Sequence, residues 1–400
     1  MTVADVYPVL GGPAPAAQEA TLSKAGARAG VRLFFADHLR VALIALVIVH
    51  HLTISLAIAL PGLWYFEVPN NNRVAEVFGL LLLLIDQSFF MGAFFLIAGY
   101  FTPFSYDRKG AGAFVRDRVI RLIIPMAFFW LVLNSVTEAL GALGSHQPLS
   151  FGWGAYLGSI GPGPLWFVEV LFLLSVAYLG LRLLRRHRVP ERSPERYAPP
   201  TIRLATLFTL GLAAATFLFR LVVPVGYILP VFDLPTPGYL PQYAGLFAAG
   251  VIAARRGWFH SMPDRLGWIG FAASGVVTVF VFLPSLLGGL PNASMFGGLH
   301  WQAAGYALWD STMAVGMFCG LLMVFRRWVN RTGRLWRELS HNAFGVYVLH
   351  PPLLVLVAIP VALVPIDPLL KLLVAVLVAI PFCFAVAGLV RRIPGVSRVL

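Results

Sequence analysis

The stretch ADHLRVALIALVIVHHLTISLAIAL, residues Ala36 to Leu60, decides the fold because it is long and apolar enough to cross a membrane. A transmembrane helix needs about 20 apolar residues to span a hydrocarbon core of about 30 Å. This stretch nevertheless carries Arg40 and the pair His50 and His51. Inserting an ionisable side chain at a helix centre costs about 2.5 to 3.5 kcal/mol for Arg or Asp, so such residues are kept where a function uses them. The stretch predicts a transmembrane helix that carries functional groups.

Arg40 and His51 are predicted to share one face of this helix. Eleven residues at about 100° each come within about 20° of a whole number of turns, and they place His51 about 16 Å further along the axis. His50 points to another face, which indicates a structural role. Asp37 lies one turn before Arg40 and is its predicted partner. The arrangement predicts a site that holds a charged group near one membrane surface and exchanges a proton deeper in.

The composition excludes an ordinary soluble protein. Hydrophobic residues make up 59% of the 400 residues and charged residues only 12%, against about 25% charged in soluble domains. The sequence therefore predicts an all-α, polytopic integral membrane protein with about ten transmembrane helices. The predicted segments are Ala36 to Leu60, Val74 to Phe101, Val119 to Leu140, Leu165 to Leu184, Leu204 to Val223, Tyr239 to Ala254, Leu266 to Leu287, Ala304 to Phe325, Ala343 to Leu363, and Leu369 to Val390.

The net charge of +13 is a topology signal rather than a sign of nucleic-acid binding. If ten helices are threaded, 27 of the 30 Lys and Arg residues fall on one side of the membrane, and the exceptions are Arg73, Arg220 and Lys371. Basic loops stay in the cytoplasm. Both termini are therefore predicted to be cytoplasmic. The high content of Ala, Gly and Arg indicates a bacterium with GC-rich DNA.

The predicted domain organisation is simple. Residues 1–31 lack the apolar core of a signal peptide and are expected to form a flexible cytoplasmic tail. Residues 32–392 form one membrane domain with a polar, proline-rich cytoplasmic linker at about 185–203, and residues 393–400 form a second tail. Neither a metal-ligand spacing nor a soluble-enzyme motif is present in the sequence, so no metal and no tightly bound cofactor are expected.

Each candidate residue has a functional and a structural interpretation. His51 can act as a base near neutral pH or pack against a neighbouring helix, and Arg40 can hold an anion or extend to the membrane surface. Arg118 and Arg121, three residues apart, can share a helical face and chelate a phosphate, or they can form a basic cluster that sets topology. Trp166, Glu169 and Asp310 can bind an acceptor or lie at the headgroup level. His350, before Pro351 and Pro352, can shape a cavity.

Several motifs together resemble one family. They are the Arg-x10-His spacing of Arg40 and His51, MGAFFLIAGYF from Met91 to Phe101 with Ala98 at a usual serine position, the pair Arg118 and Arg121, LWF from Leu165 to Phe167, YLPQYAGLFAAGVIAARRGW from Tyr239 to Trp258, and SHNAFGVYVLH from Ser340 to His350. In this order and spacing they resemble the acyltransferase family 3 membrane proteins, in the branch that includes glucan biosynthesis protein C.

The resemblance implies an enzyme of the bacterial cytoplasmic membrane that moves an acyl group, commonly acetyl or succinyl, from cytoplasmic acyl-CoA to a hydroxyl of a carbohydrate or lipid-linked acceptor at the outer face. Arg118 and Arg121, helped by Arg40, would bind the CoA phosphates, and His51 would be the base or form an acyl-histidine. Glu169, Asp310, Trp166 and His350 would bind the acceptor. The competing hypotheses are a transporter or flippase for an anionic or lipid-linked substrate and a non-catalytic membrane scaffold.

Overall fold

A computed structural model describes residues 33–58, 62–150, 152–184, 198–229, 234–235 and 237–399. The predicted tail at 1–31 and residues 185–197 of the predicted linker lie outside the described residues. The described part confirms the all-α prediction. Its one sheet is a two-stranded antiparallel pair, β1 (Ile228–Leu229) with β2 (Leu234–Pro235).

The helices are, in chain order, α1 (Phe34–Leu56), α2 (Arg73–Arg118), α3 (Ile124–Phe128), α4 (Asn134–Gly144), α5 (Trp153–Gly158), α6 (Trp166–Leu184), α7 (Ile202–Arg220), α8 (Leu240–Arg256), α9 (Trp258–Ser261), α10 (Asp264–Val277), α11 (Leu283–Gly289), α12 (Trp301–Trp328), α13 (Arg334–Ala362) and α14 (Pro368–Val390). Short π-helical segments join three of these pairs, at Val119–Ile123, Phe129–Leu133 and Thr278–Phe282. Single 3-10 turns lie at Gly163–Leu165, Pro237–Tyr239 and Val396–Arg398.

Within the described ranges, eight helical stretches are long and apolar enough to cross a membrane. They confirm a polytopic architecture, whereas the count of ten and the cytoplasmic termini stay predictions. Two of the predicted segments fall in the single stretch Arg73–Gly144, in which α2 is broken at Gly110 (φ 74°, ψ 172°). Another corresponds to α8, which has only 17 residues. It is short because Pro241 stands at its start and the left-handed Gly257 ends it.

Helices α2 and α8 pack at backbone contact. A Cβ atom on Gly99 would lie 2.1 Å from the carbonyl oxygen of Phe247, and one on Gly250 would lie 2.1 Å from that of Leu96. Small residues allow this approach in membrane proteins, where van der Waals packing rather than the hydrophobic effect drives helix association. Because the two backbones are so close, Gln242 and Tyr243 of α8 are buried against α2.

Helix α12 packs against α2, α7 and α10, while α13 packs against α4 and α14. Three prolines, Pro351, Pro352 and Pro360, lie inside α13 without ending it. The loop after α1, residues 62–72, returns to the end of that helix, where the Ser55 hydroxyl donates to the Phe66 carbonyl at 2.7 Å. This fold brings α1, α2, the loop and α13 together around His51.

Candidate functional site

His51 lies on α1 with its ring in contact with two rings from other parts of the fold. The Trp64 ring is 4.2 Å away and the His350 ring 5.0 Å away, centroid to centroid. Its Nδ1 is 2.8 Å from the Val47 carbonyl oxygen. A carbonyl only accepts, so Nδ1 carries the hydrogen and Nε2 keeps its lone pair. His51 is thus held in the tautomer that can accept a proton.

Trp64 is held over His51 by a folded loop, which sequence analysis did not identify. The Glu67 carboxylate accepts hydrogen bonds from the three successive backbone N–H groups of residues 62–64, at 2.7 to 2.8 Å. The Tyr65 hydroxyl donates to the side-chain carbonyl of Asn134. These bonds fix the Trp64 ring as one wall of the site. The only sequence signal was an acidic residue three positions after a tryptophan.

His350 lies beside His51 and is fully buried. Its Nδ1 donates to the Tyr347 carbonyl at 2.7 Å, so its Nε2 also keeps a lone pair, and that atom has no hydrogen-bond partner among the described residues. The following residue explains the geometry. Pro351 has no N–H, so it leaves free the Tyr347 carbonyl that a helix would otherwise use four residues on. We call His51 and His350 the histidine pair.

The first turn of α6 lies on the other side of Tyr347. The Phe167 ring is 5.8 Å from the Tyr347 ring, and the Tyr347 hydroxyl donates to the Pro164 carbonyl at 2.5 Å. Trp166 and Glu169 are both buried in this turn. The turn that carries two of the four predicted acceptor-binding residues thus packs on Tyr347 through Phe167, while Trp166 itself stacks on Tyr243 of α8. A third, His350, belongs to the histidine pair.

Asp310 lies in a separate, closed cluster. Its carboxylate forms an ion pair with Arg220 at 2.6 Å, and neither side chain has any exposed surface. Arg220 also donates from Nε to the Gly238 carbonyl at 3.1 Å, and its guanidinium lies over the rings of Tyr239 and Tyr306. Both oxygens of the Asp310 carboxylate lie within the protein in this conformation, and its role in acceptor binding stays a prediction. We call Arg220, Asp310, Tyr239 and Tyr306 the Arg220–Asp310 cluster.

Arg220 was missed as a partner of Asp310, although one signal was present. It is one of the three basic residues that the topology pattern does not explain. An arginine near the end of an apolar helix with no topological role needs a counter-charge. Asp310 is 90 positions further along the chain, so sequence spacing could not identify it as that counter-charge.

The cationic end of the site is formed by Arg40 and Arg118. Arg40 forms an ion pair with Asp37, as predicted, and its guanidinium is 5.9 Å from the centre of the Phe101 ring. Arg118 donates to the Thr102 hydroxyl at 3.3 Å. Phe101 and Thr102 are consecutive residues of α2, so both guanidinium groups contact the same turn. The Arg118 Nε is buried and has no hydrogen-bond partner among the described residues.

Arg121 does not accompany Arg118 into the protein. Its side chain is 62% exposed, and its Nε is 3.3 Å from the Asp117 carboxylate. The expectation of one shared helical face assumed α-helical geometry. Arg118 instead ends α2, and Arg121 lies in the π-helical segment Val119–Ile123. A π turn closes with i→i+5 bonds, and the two guanidinium groups on either side of its start remain close enough to repel each other. Their joint binding of a phosphate stays a prediction.

Comparison with known families accounts for this combination of features. The model of a family described as an acyltransferase domain matches residues 33–388. The chain belongs to acyltransferase family 3. This acyltransferase is therefore a multi-pass membrane enzyme, and the match includes His51, Arg40, Arg118, His350 and the rest of the site. No curated protein matches the chain, and the resemblance to the branch of glucan biosynthesis protein C stays a prediction.

Proposed function

We propose that this acyltransferase moves an acetyl or succinyl group from cytoplasmic acyl-CoA to a hydroxyl of a carbohydrate or related acceptor at the outer face of a bacterial cytoplasmic membrane. One observation carries the proposal. His51 has a free Nε2 beneath Trp64, on the same unbroken helix as the cation Arg40. Acyl transfer from CoA requires a base for the acceptor hydroxyl and a cation for the phosphates of the donor, and one helix carries both.

The donor enters from the cytoplasmic end of α1. Arg118 binds a phosphate of CoA through the guanidinium edge that the protein leaves without a partner. Arg40 and the exposed Arg121 assist from the surface. The pantetheine arm then runs along α1 toward His51, about 16 Å further along the axis at 1.5 Å per residue. CoA is a co-substrate here and is released after each cycle.

The chemistry takes place at His51. Its Nε2 accepts the proton of the acceptor hydroxyl as the oxygen attacks the thioester carbonyl. The C–S bond breaks, and the CoA thiolate leaves and takes up the proton. General-base catalysis of this kind contributes about 10² to 10⁴-fold to a rate. Attack by His51 itself, through an acyl-histidine, is the alternative route.

The acceptor binds beside the histidine pair, with Tyr347 and the first turn of α6 as its further wall. His350 Nε2 accepts a hydrogen bond from an acceptor hydroxyl, and Trp166 and Glu169 line the side beyond Tyr347. Asp310 acts from a greater distance, through the Arg220–Asp310 cluster that supports this wall. A sugar ring with several hydroxyls suits a site with aromatic walls and few polar atoms.

The test uses the purified protein in nanodiscs with labelled acetyl-CoA or succinyl-CoA and a panel of hydroxyl acceptors. The wild type is expected to transfer label, and His51→Gln is expected to lower the rate by about 10² to 10⁴-fold. His300→Gln, at an exposed histidine before α12, is the matched control and should retain the wild-type rate.

Two outcomes would contradict the proposal. If the wild type neither transfers nor hydrolyses the acyl group with any acceptor, a transporter of an anionic or lipid-linked substrate becomes the better hypothesis. If His51→Gln is as active as His300→Gln, His51 is not the base.

A further inference from the structure

His50 and Asp86 face each other inside the bundle, directly behind His51, and the mechanism above uses neither. The His50 Nδ1 and the Asp86 Oδ2 are 3.8 Å apart, with side-chain exposures of 9% and 4%. Neither atom has a hydrogen-bond partner in the part of the chain that the structure describes. The His50 ring also stacks on Phe90, with ring centroids 5.0 Å apart.

Two unpartnered polar atoms at this depth call for an explanation. Most buried polar side-chain atoms in proteins have a hydrogen-bond partner, and an ionisable residue within a membrane is costly and marks a functional site. The gap of 3.8 Å exceeds the range of about 2.7 to 3.2 Å for a hydrogen bond with nitrogen as donor. A small side-chain movement closes it, after which His50 Nδ1–H donates to the Asp86 carboxylate.

The pair is next to the reacting base. The rings of His50 and His51 meet edge to face, with centroids 5.3 Å apart. Among the described residues, the titratable rings in contact with His51 are His50 on α1 and His350 on α13. Asp86 on α2 is next to His50, and Glu67 is on the loop that carries Trp64. The Glu67 carboxylate is already bonded to three backbone N–H groups. Among these groups, Asp86 is therefore the acid available to balance a positive charge on His51.

We propose that Asp86, acting through His50, is the counter-charge of the imidazolium that forms at His51 during acyl transfer. His50 keeps its Nδ1 hydrogen and donates it to Asp86, so no proton is gained or lost by the pair. The negative charge lowers the free energy of the positively charged His51 in the transition state, in a region with little water to do so. Asp86 and His50 are positioning residues in this scheme, which rests on the proposed function.

The decisive measurement is chemical modification of His51, which does not require acyl transfer. Diethyl pyrocarbonate reacts with neutral imidazole, so its rate of reaction at His51, read by mass spectrometry of the full-length protein in nanodiscs across pH, reports the protonation midpoint. Asp86→Asn is expected to move this midpoint down by about one pH unit, a tenfold change in the protonation constant. Glu76→Gln, which removes a carboxylate ten positions earlier on α2, should leave it unchanged.

A second variant covers the possibility that Asp86→Asn does not fold. His50→Phe keeps an aromatic ring against Phe90 and removes the Nδ1–H group that would donate to a charged Asp86. The midpoint of His51 should move in the same direction. A midpoint equal to that of the wild type in either folded variant overturns the proposal.

Activity provides an independent check on the same variants. The reaction needs neutral His51, so a lower midpoint moves the acid limb of the pH–rate profile to lower pH, while loss of the counter-charge lowers the plateau kcat. KM for the acyl donor should not change, since neither residue contacts it. If the wild type transfers no acyl group, the proposed function fails, and the modification data still decide the role of Asp86.

Discussion

The Arg220–Asp310 cluster and the histidine pair are both buried groups of ionisable residues, but they differ in what they leave free. In the cluster, the two opposite charges are 2.6 Å apart, and two tyrosine rings cover the guanidinium. In the histidine pair, each Nδ1 is bonded to a backbone carbonyl of its own helix, and the lone pair on each Nε2 remains available. We therefore expect the cluster to contribute mainly to stability and the pair to chemistry.

The difference has an energetic basis. Burying two opposite charges costs solvation that their close pairing offsets, and removing one partner leaves an uncompensated charge. Arg220 Nη1 has no hydrogen-bond partner among the described residues, so the guanidinium depends on Asp310 and the two tyrosine rings. A neutral histidine with an unused acceptor costs much less to bury. Substitutions in the cluster should consequently lower the free energy of unfolding, whereas substitutions around the histidine pair should lower the rate of acyl transfer.

The largest expected effect is on the cluster. Asp310→Ala should lower the free energy of unfolding by about 3 to 5 kcal/mol, since it strands the Arg220 guanidinium in an apolar interior. Thermal unfolding of the detergent-solubilised protein, followed by tryptophan fluorescence, measures this. The double variant Arg220→Leu with Asp310→Leu removes both charges and should recover most of the loss. Equal unfolding temperatures for wild type and Asp310→Ala would show that the ion pair does not hold the fold.

A smaller effect, on rate alone, is expected from Pro351→Ala. The introduced N–H would compete with His350 Nδ1 for the Tyr347 carbonyl and release the His350 ring. We expect kcat for acyl transfer to fall on the order of 10-fold, or about 1.4 kcal/mol of transition-state stabilisation. The unfolding temperature should stay the same or rise, because Pro inside a helix is less stable than Ala by about 3 kcal/mol.

Pro352→Ala is the matched control for this prediction. It restores an N–H in the same turn but leaves the carbonyl that His350 uses unaffected. Transfer rates that are indistinguishable between Pro351→Ala and Pro352→Ala would mean that the orientation of His350 does not matter.

The smallest effect is expected when one hydrogen bond of the cluster is removed and its ring packing is kept. The hydroxyls of Tyr239 and Tyr306 are 2.9 Å apart. Tyr306→Phe keeps the ring beneath the guanidinium and removes only this bond, so it should cost about 0.5 to 1.5 kcal/mol of stability. The transfer rate of this variant, measured in the same nanodisc assay, should equal that of the wild type. A rate loss without a stability loss would place the cluster in the catalytic site.

Local features of the site could be predicted well from the sequence. Asp37 and Arg40 are one helical turn apart, and they form the expected ion pair. The continuous helix α1 keeps the spacing between Arg40 and His51 that an ideal helix predicts. These features depend on residues within a few turns of one another, so helical periodicity is enough to relate them.

Departures from ideal helices limited the prediction elsewhere. Arg118 is half-buried and Arg121 is exposed, and the helix widens between them into a π turn at Val119, a change that no residue in that stretch signals. The sequence showed only that the dipeptide Pro351-Pro352 follows His350 and did not reveal that Pro351 orients the His350 ring. That orientation depends on the carbonyl of Tyr347, which a proline leaves without its usual donor.

The sequence by itself determined that the chain is an all-α membrane protein and that a histidine and an arginine share a face of its first helix, because hydropathy and helical period act over short distances along the chain. Only the tertiary structure decided that His350 and Trp64 enclose His51, that Asp86 stands behind His50, and that Arg220 neutralises Asp310. These partners come from different helices or loops. Their meeting depends on how helices pack, and in a membrane that packing is set by small residues and buried polar groups rather than by any pattern within one segment.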